Sequence, residues 1–373
     1  MIRVLQVLEA TEGGTRRHLR DLVGALDPAE FRVTLAVSCG RDPAFRDDLA
    51  GYAAAGVPVR EVAMRRGVAP FSDLLSLMRL LLLVRQVRPD VIHAHSAKAG
   101  FLARLAGVWC RVPVVYTPHV FPFLMACGRL LRRAYWLLEK GVCGCTAALV
   151  AVSEEEVREA LRLGYAPERV HLIPNGVAAR ESGAGAVRES HALTVGFFGR
   201  LTRQKGPDLV IEAASEVMSH VPHVTFVFYG EGELAGLLRS QAEARQLSAQ
   251  VQFKGAYRQE EMASHLRESD VVVVPSRWEG CPYVVLEALQ AGVPVVAAAV
   301  GGVPELIQNG VNGVLVEADN AEALCDGLLG LLRDPDKRLR LAEAGRVTAA
   351  AHPLAGMAAA VGAVYCRVVS LRR

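Results

Sequence analysis

Two stretches in the second half of the chain concentrate groups that can do chemistry. In GFFGRLTRQKGPDL a strand-like run closes at Gly199, Arg200 follows at once, and Lys205 precedes Gly206 and a helix opened by Pro207. An arginine fork, a lysine point charge and a glycine-rich turn at the carboxyl end of a strand suit a diphosphate. In RWEGCPYVVLEALQAGVPVV, Glu279 stands in a turn and Glu287 follows eight positions later on an apolar helix. Pro282, which has no N–H of its own, fits the first turn of that helix, so the backbone of the stretch Gly280, Cys281, Pro282, Tyr283, with the amides of its other residues, would face a ligand beside Glu279. Sugar hydroxyls want carboxylate acceptors, and a ribose diol is a natural bidentate partner. The plainer alternative is one glutamate as a helix cap and the other on the surface.

Other candidates follow strands in the same way. In YGEGEL, Gly230 and Gly232 permit close backbone approach, while Glu231 or Glu233 could simply cap a helix. In KGAYRQEEM, Tyr257 and Arg258 could edge a nucleobase. Near the start, EATEGGTRRHLRDL places Gly13 and Gly14 before a helix expected from about Thr15, whose free N–H groups would face an anion. A tight turn explains the glycine pair equally well, and without G-x-G-x-x-G a nicotinamide or flavin dinucleotide loses its main support. DVIHAHSAKAG puts His93 and His95 on one sheet face with Lys98 beyond. That spacing could mimic a metal pair, but no third ligand is evident and satisfied sheet-end histidines are the favoured reading. His119, in YTPH, ends the next strand and is ambiguous alone.

The elements that must position these residues alternate in type. Strand candidates in the first half are IRVLQVL, FRVTLAVS, VPVREV, DVIHAH, VPVVYT, ALVAVS and VHLIPN; in the second they are LTVGFFG, VTFVFYG, VQFKG, VVVVPS, VPVVAA and GVLVE. Amphipathic stretches such as PDLVIEAASEVMSH and MASHLRESD lie between them. This β–α alternation predicts two doubly wound parallel sheets, one per half. A domain is expected over 1–180 and another over 192–352, joined by an Ala/Gly/Ser-rich linker near 178–191. A C-terminal helix in 353–373 is expected to pack back toward the first domain. Two such domains facing across a cleft would direct the carboxyl ends of both sheets at one ligand.

Bulk properties agree. At 373 residues the chain is long enough for two cores, and its composition, 51% hydrophobic and 22% charged, is that of a globular protein. Eight scattered cysteines without C-x-x-C or zinc-type spacing suggest reduced thiols in a cytoplasmic protein. Met1 runs directly into a strand, so no secretory leader is expected, and the apolar runs are too short or too Arg-interrupted to span a bilayer. The net charge of +3 hides an asymmetry: residues 1–180 carry 24 Lys/Arg against 17 Asp/Glu, and the remainder 18 against 22. A basic half suggests an anionic partner, with solvated charge as the alternative; no nucleic-acid partner is expected.

GRLTRQKG, PSRWEGCPYVVLEALQAGVPVV and VGGVPELIQNGVNGVLVE resemble the retaining glycosyltransferases of family 4, which have the GT-B fold. The Gly-Gly loop, AVSEEEV, IPNGV and the terminal helix fit as well, so the likeness covers nearly the whole chain. The resemblance implies a nucleotide-diphosphate sugar as donor substrate and no further cofactor. It implies Arg200 and Lys205 on the diphosphate, Glu287 on the ribose, and Glu279 with the amides around Gly280–Tyr283 on the transferred sugar. Gly14 would approach the phosphates or the acceptor, and His119 would lie near the reacting centre. Where the family often has a larger apolar residue, this chain has Cys281.

Bond cleavage develops negative charge on the departing diphosphate, which fixed cations and helix N-termini can stabilise without a metal. The one D-x-D, Asp334 and Asp336, reads as a surface connector. Family resemblance implies retention by same-face attack, so no covalent nucleophile is assigned. The acceptor is expected to be a glycan or a polyprenyl-diphosphate-linked sugar, as in bacterial enzymes building surface polysaccharides. FPFLMACGRLLRRAYWLLEKGVC, with Arg129, Arg132, Arg133 and Lys140 beside a broad apolar face, could lie on the inner face of the cytoplasmic membrane; an ordinary packed helix is the alternative. Rival readings are a GT-B epimerase or phosphorylase and a non-catalytic nucleotide-sugar-binding protein.

Overall fold

A computed structural model of the chain describes residues 1–42, 45–179 and 192–372. It divides into two compact units, Met1–Asn175 with Leu354–Arg373, and Gly176–Pro353. The linker expected near 178–191 lies, from residue 180 on, outside the described residues.

Among the described residues the first unit holds seven strands: β1 (Ile2–Leu8), β2 (Phe31–Val37), β3 (Val59–Glu61), β4 (Val91–His95), β5 (Val114–Thr117), β6 (Ala148–Ala151) and β7 (Val170–Leu172). Their order is β3-β2-β1-β4-β5-β6-β7, every pairing parallel. The second unit holds β8 (Thr194–Phe198), β9 (Thr225–Tyr229), β10 (Val251–Gly255), β11 (Val271–Val274), β12 (Val295–Ala298) and β13 (Val314–Val316), in the order β10-β9-β8-β11-β12-β13. Both units are Rossmann-like, as the alternation predicts. Each short apolar run became a strand because parallel strands covered by helices on both faces have no solvent side to mark with polar residues.

The helix Leu354–Ser370 belongs to the first unit, where Met357, Val361 and Tyr365 are buried in the core that contains Phe31, Leu19 and Leu22. Gly362 passes close to the Phe31 ring, which an added Cβ would meet at 3.1 Å. Across the same sheet, Arg104 on the helix Ala97–Cys110 is wholly buried and pairs with Glu139 on the helix Arg129–Val142 at 2.8 Å. All eight cysteines are free thiols. Among the described residues no helix is long and apolar enough to cross a membrane.

Candidate active site

In each unit the strand order reverses beside the first strand, between β8 and β11 in the second unit and between β1 and β4 in the first. Loops leaving the two sides of such a switch point diverge and open a binding crevice. The candidate residues gather there.

In the second unit, β8 delivers Gly199 and Arg200, and a short 3-10 turn, Arg203–Lys205, precedes the helix Pro207–His220. β11 delivers Ser276 and Glu279. Lys205 Nζ donates to Glu279 Oε1 at 2.5 Å, and the Ser276 hydroxyl donates to the same oxygen at 2.7 Å. Arg200 Nη2 donates to Gln204 Oε1, whose amide nitrogen donates to the Trp278 carbonyl. Both cations are thus joined to the Glu279 turn. Arg277 ties that turn to the helix Pro207–His220 through Asp208 at 2.7 Å; the pair holds the Asp208 carboxyl below its ordinary value against the upward pull of burial.

Glu279 is 7% exposed and Glu287 8%. The helix that carries Glu287 spans Tyr283–Ala291, so Pro282 stands just ahead of its first turn rather than within it. The difference is small: an extended φ of −75° suits either place, and the missing N–H is at a helix end in both. Gly280, Cys281 and Tyr283 are buried around Glu279 at the head of this helix. Glu287 accepts from Gln259 Nε2 at 2.6 Å, a partner that sequence spacing did not suggest. Tyr257, two residues before Gln259, meets Phe198 and Tyr229 edge-on, whereas Arg258 is exposed and its backbone N–H donates to Glu261. Glu231 and Glu233 cap no helix; the nearby helix starts at Ala235 behind Leu234.

Glycines lock these loops together. Gly230 has φ 137°, and an added Cβ would lie 1.9 Å from the Gly199 carbonyl oxygen. Gly301, in the loop after β12, has φ 54° and would bring a Cβ within 1.8 Å of the Glu279 carbonyl oxygen, while Gly302 donates to Gly280 at 2.7 Å. Gly301→Ala should therefore lower stability by about 1–3 kcal/mol and reduce turnover by moving the Glu279 turn; denaturant unfolding together with initial rates checks both effects.

In the first unit the helix Gly13–Ala25 starts two residues earlier than expected, at Gly13, whose φ of 57° makes the turn itself. Gly14 is exposed in its first turn. One turn further on, His18 is buried against His119 and His95, with ring centroids 4.6 and 5.4 Å away. The grouping is not the His93–His95 pair that the spacing suggested: among the described residues it is His18, His95 and His119 that each present a nitrogen within 4.8 Å of the others. His93 has both ring nitrogens engaged, with Tyr365 and Thr117. Burial drives His93, His95 and His119 well below the ordinary histidine value, and lowers His18 as well, so all four rings are neutral at neutral pH.

His119 and Val120 have left-handed backbone, φ 51° and 84°. For valine that is a strained conformation. Glu156, in AVSEEEV, holds it: one carboxylate oxygen accepts from Val120 N–H at 2.6 Å and the other from Val152 N–H at 3.0 Å. Its partner is 36 positions away, out of reach of local pattern reading. Lys98 is paired with Asp73 at 2.6 Å. Asp334 is an exposed helix cap, accepting from Lys337 N–H, and Asp336 is exposed.

Comparison with known proteins agrees with this geometry. The model for glycosyl transferases group 1 matches residues 186–348, and that for a glycosyl transferase 4-like domain matches residues 13–176. The chain is 30% identical over 289 residues to the UDP-Gal:alpha-D-GlcNAc-diphosphoundecaprenol alpha-1,3-galactosyltransferase of Escherichia coli, covering 72% of this chain and 73% of the relative. It is 33% identical over 311 residues to the D-inositol 3-phosphate glycosyltransferase of Xylanimonas cellulosilytica, covering 76% and 73%. Among solved structures, Anabaena Alr3699/HepE in complex with UDP and glucose superposes with a TM-score of 0.83 at 21% identity, over 98% of this chain and all of that one. WaaG, a glycosyltransferase involved in lipopolysaccharide biosynthesis, gives 0.74 at 17% identity over 97% and 98%. The two family models, the relatives and the paired Rossmann-like sheets place the chain in glycosyltransferase family 4, with the GT-B fold.

Proposed function

We propose that the protein moves a sugar from a nucleotide-diphosphate sugar to a hydroxyl of a glycan or lipid-linked acceptor, with retention at the anomeric carbon. The carrying observation is the contact across the β8–β11 switch point, where Lys205, Ser276 and Glu279 meet at the head of the helix that bears Glu287. Lys205 donates to Glu279 across this contact. A bound diphosphate would take over Lys205 and Arg200, and would release Glu279 to accept from hydroxyls of the transferred sugar. Glu287 would accept from the ribose, Arg258 would edge the base, and the close backbone at Gly230 would let phosphates approach. His119 and Gly14 are the first unit's proposed contributors to the sugar and to the phosphates or acceptor.

The charge that develops on the leaving diphosphate is met by fixed cations and the amides at the helix head, which need no reorganisation. That chemistry calls for no metal at the diphosphate. The leaving phosphate oxygen takes the acceptor's proton on the face it vacates, so configuration is kept.

The names of the Escherichia coli relative and of the UDP-bound structural neighbours favour UDP-sugars as the first donors to test. The first of these names, with its undecaprenol acceptor, supports a lipid-linked sugar. The helix Arg129–Val142 is consistent with work at an anionic inner membrane face: Leu130 is 89% exposed, and Leu131, Leu137 and Leu138 are exposed among Arg129, Arg132, Arg133 and Lys140.

The test is release of nucleotide diphosphate from UDP-, GDP- and ADP-sugars, with and without polyprenyl-diphosphate sugars, followed by NMR of the product's anomeric proton. Acceptor-dependent release with an unchanged anomer is expected; an inverted anomer or acceptor-independent epimerisation would contradict the proposal. Glu287→Ala should raise the KM for the donor roughly 10- to 100-fold, the worth of a charged hydrogen bond, with little change in kcat. Steady-state kinetics at saturating acceptor checks this.

A further inference from the structure

We propose that His18, His95 and His119 form a site for one divalent transition-metal ion of the Zn2+ class, held within the first unit. Three elements supply the ligands: the helix Gly13–Ala25, the end of β4, and the loop after β5.

The hydrogen bonds determine where each lone pair points. His18 Nδ1 faces the Asn175 side-chain oxygen at 2.9 Å and so must donate, which leaves Nε2 without a proton. That nitrogen is buried and has no hydrogen-bond partner among the described residues. His95 Nε2 likewise donates to Gln6 Oε1 at 2.8 Å, and its bare Nδ1 accepts from His119 Nε2 at 3.2 Å. Gln6 is held in turn by its amide donating to the Tyr365 hydroxyl at 2.9 Å. Two lone pairs are therefore aimed inward and fixed from behind by amide oxygens. Metal-binding histidines are oriented by such partners.

An ion takes the third ligand when His119 passes its proton from Nε2 to Nδ1, so no net charge is lost from the ring. Tetrahedral ligands at about 2.0–2.1 Å stand about 3.3 Å apart. The 3.2 Å separation of His95 from His119 already fits, and the 4.8 Å bound on the set leaves a closure of about 1.5 Å at most. Three neutral imidazoles select Zn2+, Co2+, Ni2+ or Cu2+ over Mg2+ or Ca2+, which want oxygen ligands. His119 is only partly buried and gives the ion a way in.

The experiment is a Co2+ titration of the chelator-stripped full chain, followed by displacement with Zn2+. One Co2+ per chain is expected, with the visible absorption of a nitrogen-ligated, low-coordinate ion. His18→Gln and His119→Ala should each weaken binding at least about tenfold. Should His18→Gln fail to fold, X-ray absorption of the Zn2+-loaded wild type still decides, with three imidazole nitrogens expected at about 2.0–2.1 Å. Absence of saturable binding, sulfur among the ligands, or unchanged affinity in folded His119→Ala would overturn the site and leave a buried water as the partner of His18. None of these readouts involves sugar transfer, so their failure leaves the transferase proposal standing.

Discussion

Lys205→Ala should lower kcat/KM for sugar transfer roughly 10²–10³-fold, the usual cost of removing one preorganised group that meets developing charge. Lys205 is the compact point charge of the proposed diphosphate site, set by the 3-10 turn after β8 and 19% exposed. Its loss has a second consequence. Glu279 is buried and would keep only the Ser276 hydroxyl among its two short contacts. A buried carboxylate deprived of its cation destabilises its surroundings, so part of any fall in rate could come from a displaced turn. The double variant Lys205→Ala/Glu279→Gln separates these effects: it should recover thermal stability without recovering rate. A kcat/KM for Lys205→Ala within about threefold of wild type would remove the lysine from the chemistry.

The second large effect is structural. Glu139→Ala should destabilise the first unit by about 3–5 kcal/mol. Arg104 is completely buried, and its guanidinium donates to Glu139, the Gly100 carbonyl and the Tyr165 hydroxyl, while lying 4.2 Å from the centre of the Tyr116 ring. Burial pulls the Arg104 pKa down, but Glu139 and the two tyrosines outweigh it and raise it further. An arginine is effectively always protonated, so removing Glu139 leaves a buried cation without its carboxylate. Arg104→Met/Glu139→Leu, which removes both charges, should cost far less than the single change. A two-unit chain need not unfold in one step, so the appropriate readout is hydrogen exchange of β4 and β5 against β11 and β12. Only the first pair should lose protection in Glu139→Ala. The same ion pair anchors the helix whose outer face exposes Leu130, so this variant also tests whether the proposed membrane attachment depends on how that helix is seated.

Much of the architecture could be read directly from the amino-acid order. β8 and β11 announce themselves as TVGFF and VVVV, because strands covered on both faces must be apolar at every position. Glu279 and Glu287 stood out for the complementary reason: charge is conspicuous in an apolar run. Partners set by topology were not legible. His18 meets Asn175 across 157 positions, Val120 meets Glu156 across 36, and Gln259 reaches Glu287 across 28. No local period encodes such distances; they follow from which strands are neighbours. The sequence showed no third ligand beside His93 and His95, and the residue that groups with His95 and His119 is carried by the helix after β1, the strand next door. The start of that first helix was misplaced because a left-handed glycine made the turn inside the helix's own first residue.

The central proposal is that Arg200, Lys205 and the head of the helix Tyr283–Ala291 hold a nucleotide diphosphate within the second unit. Ligand-induced thermal stabilisation across UDP-, GDP- and ADP-sugars, run on wild type and Arg200→Ala side by side, tests this most directly. A ligand at a hundred times its Kd stabilises by about 2.7 kcal/mol. Wild type should show that shift for the sugars of one base, and Arg200→Ala should lose most of it at the same concentration. Equal shifts in the two proteins, or none with any nucleotide sugar, would contradict the account.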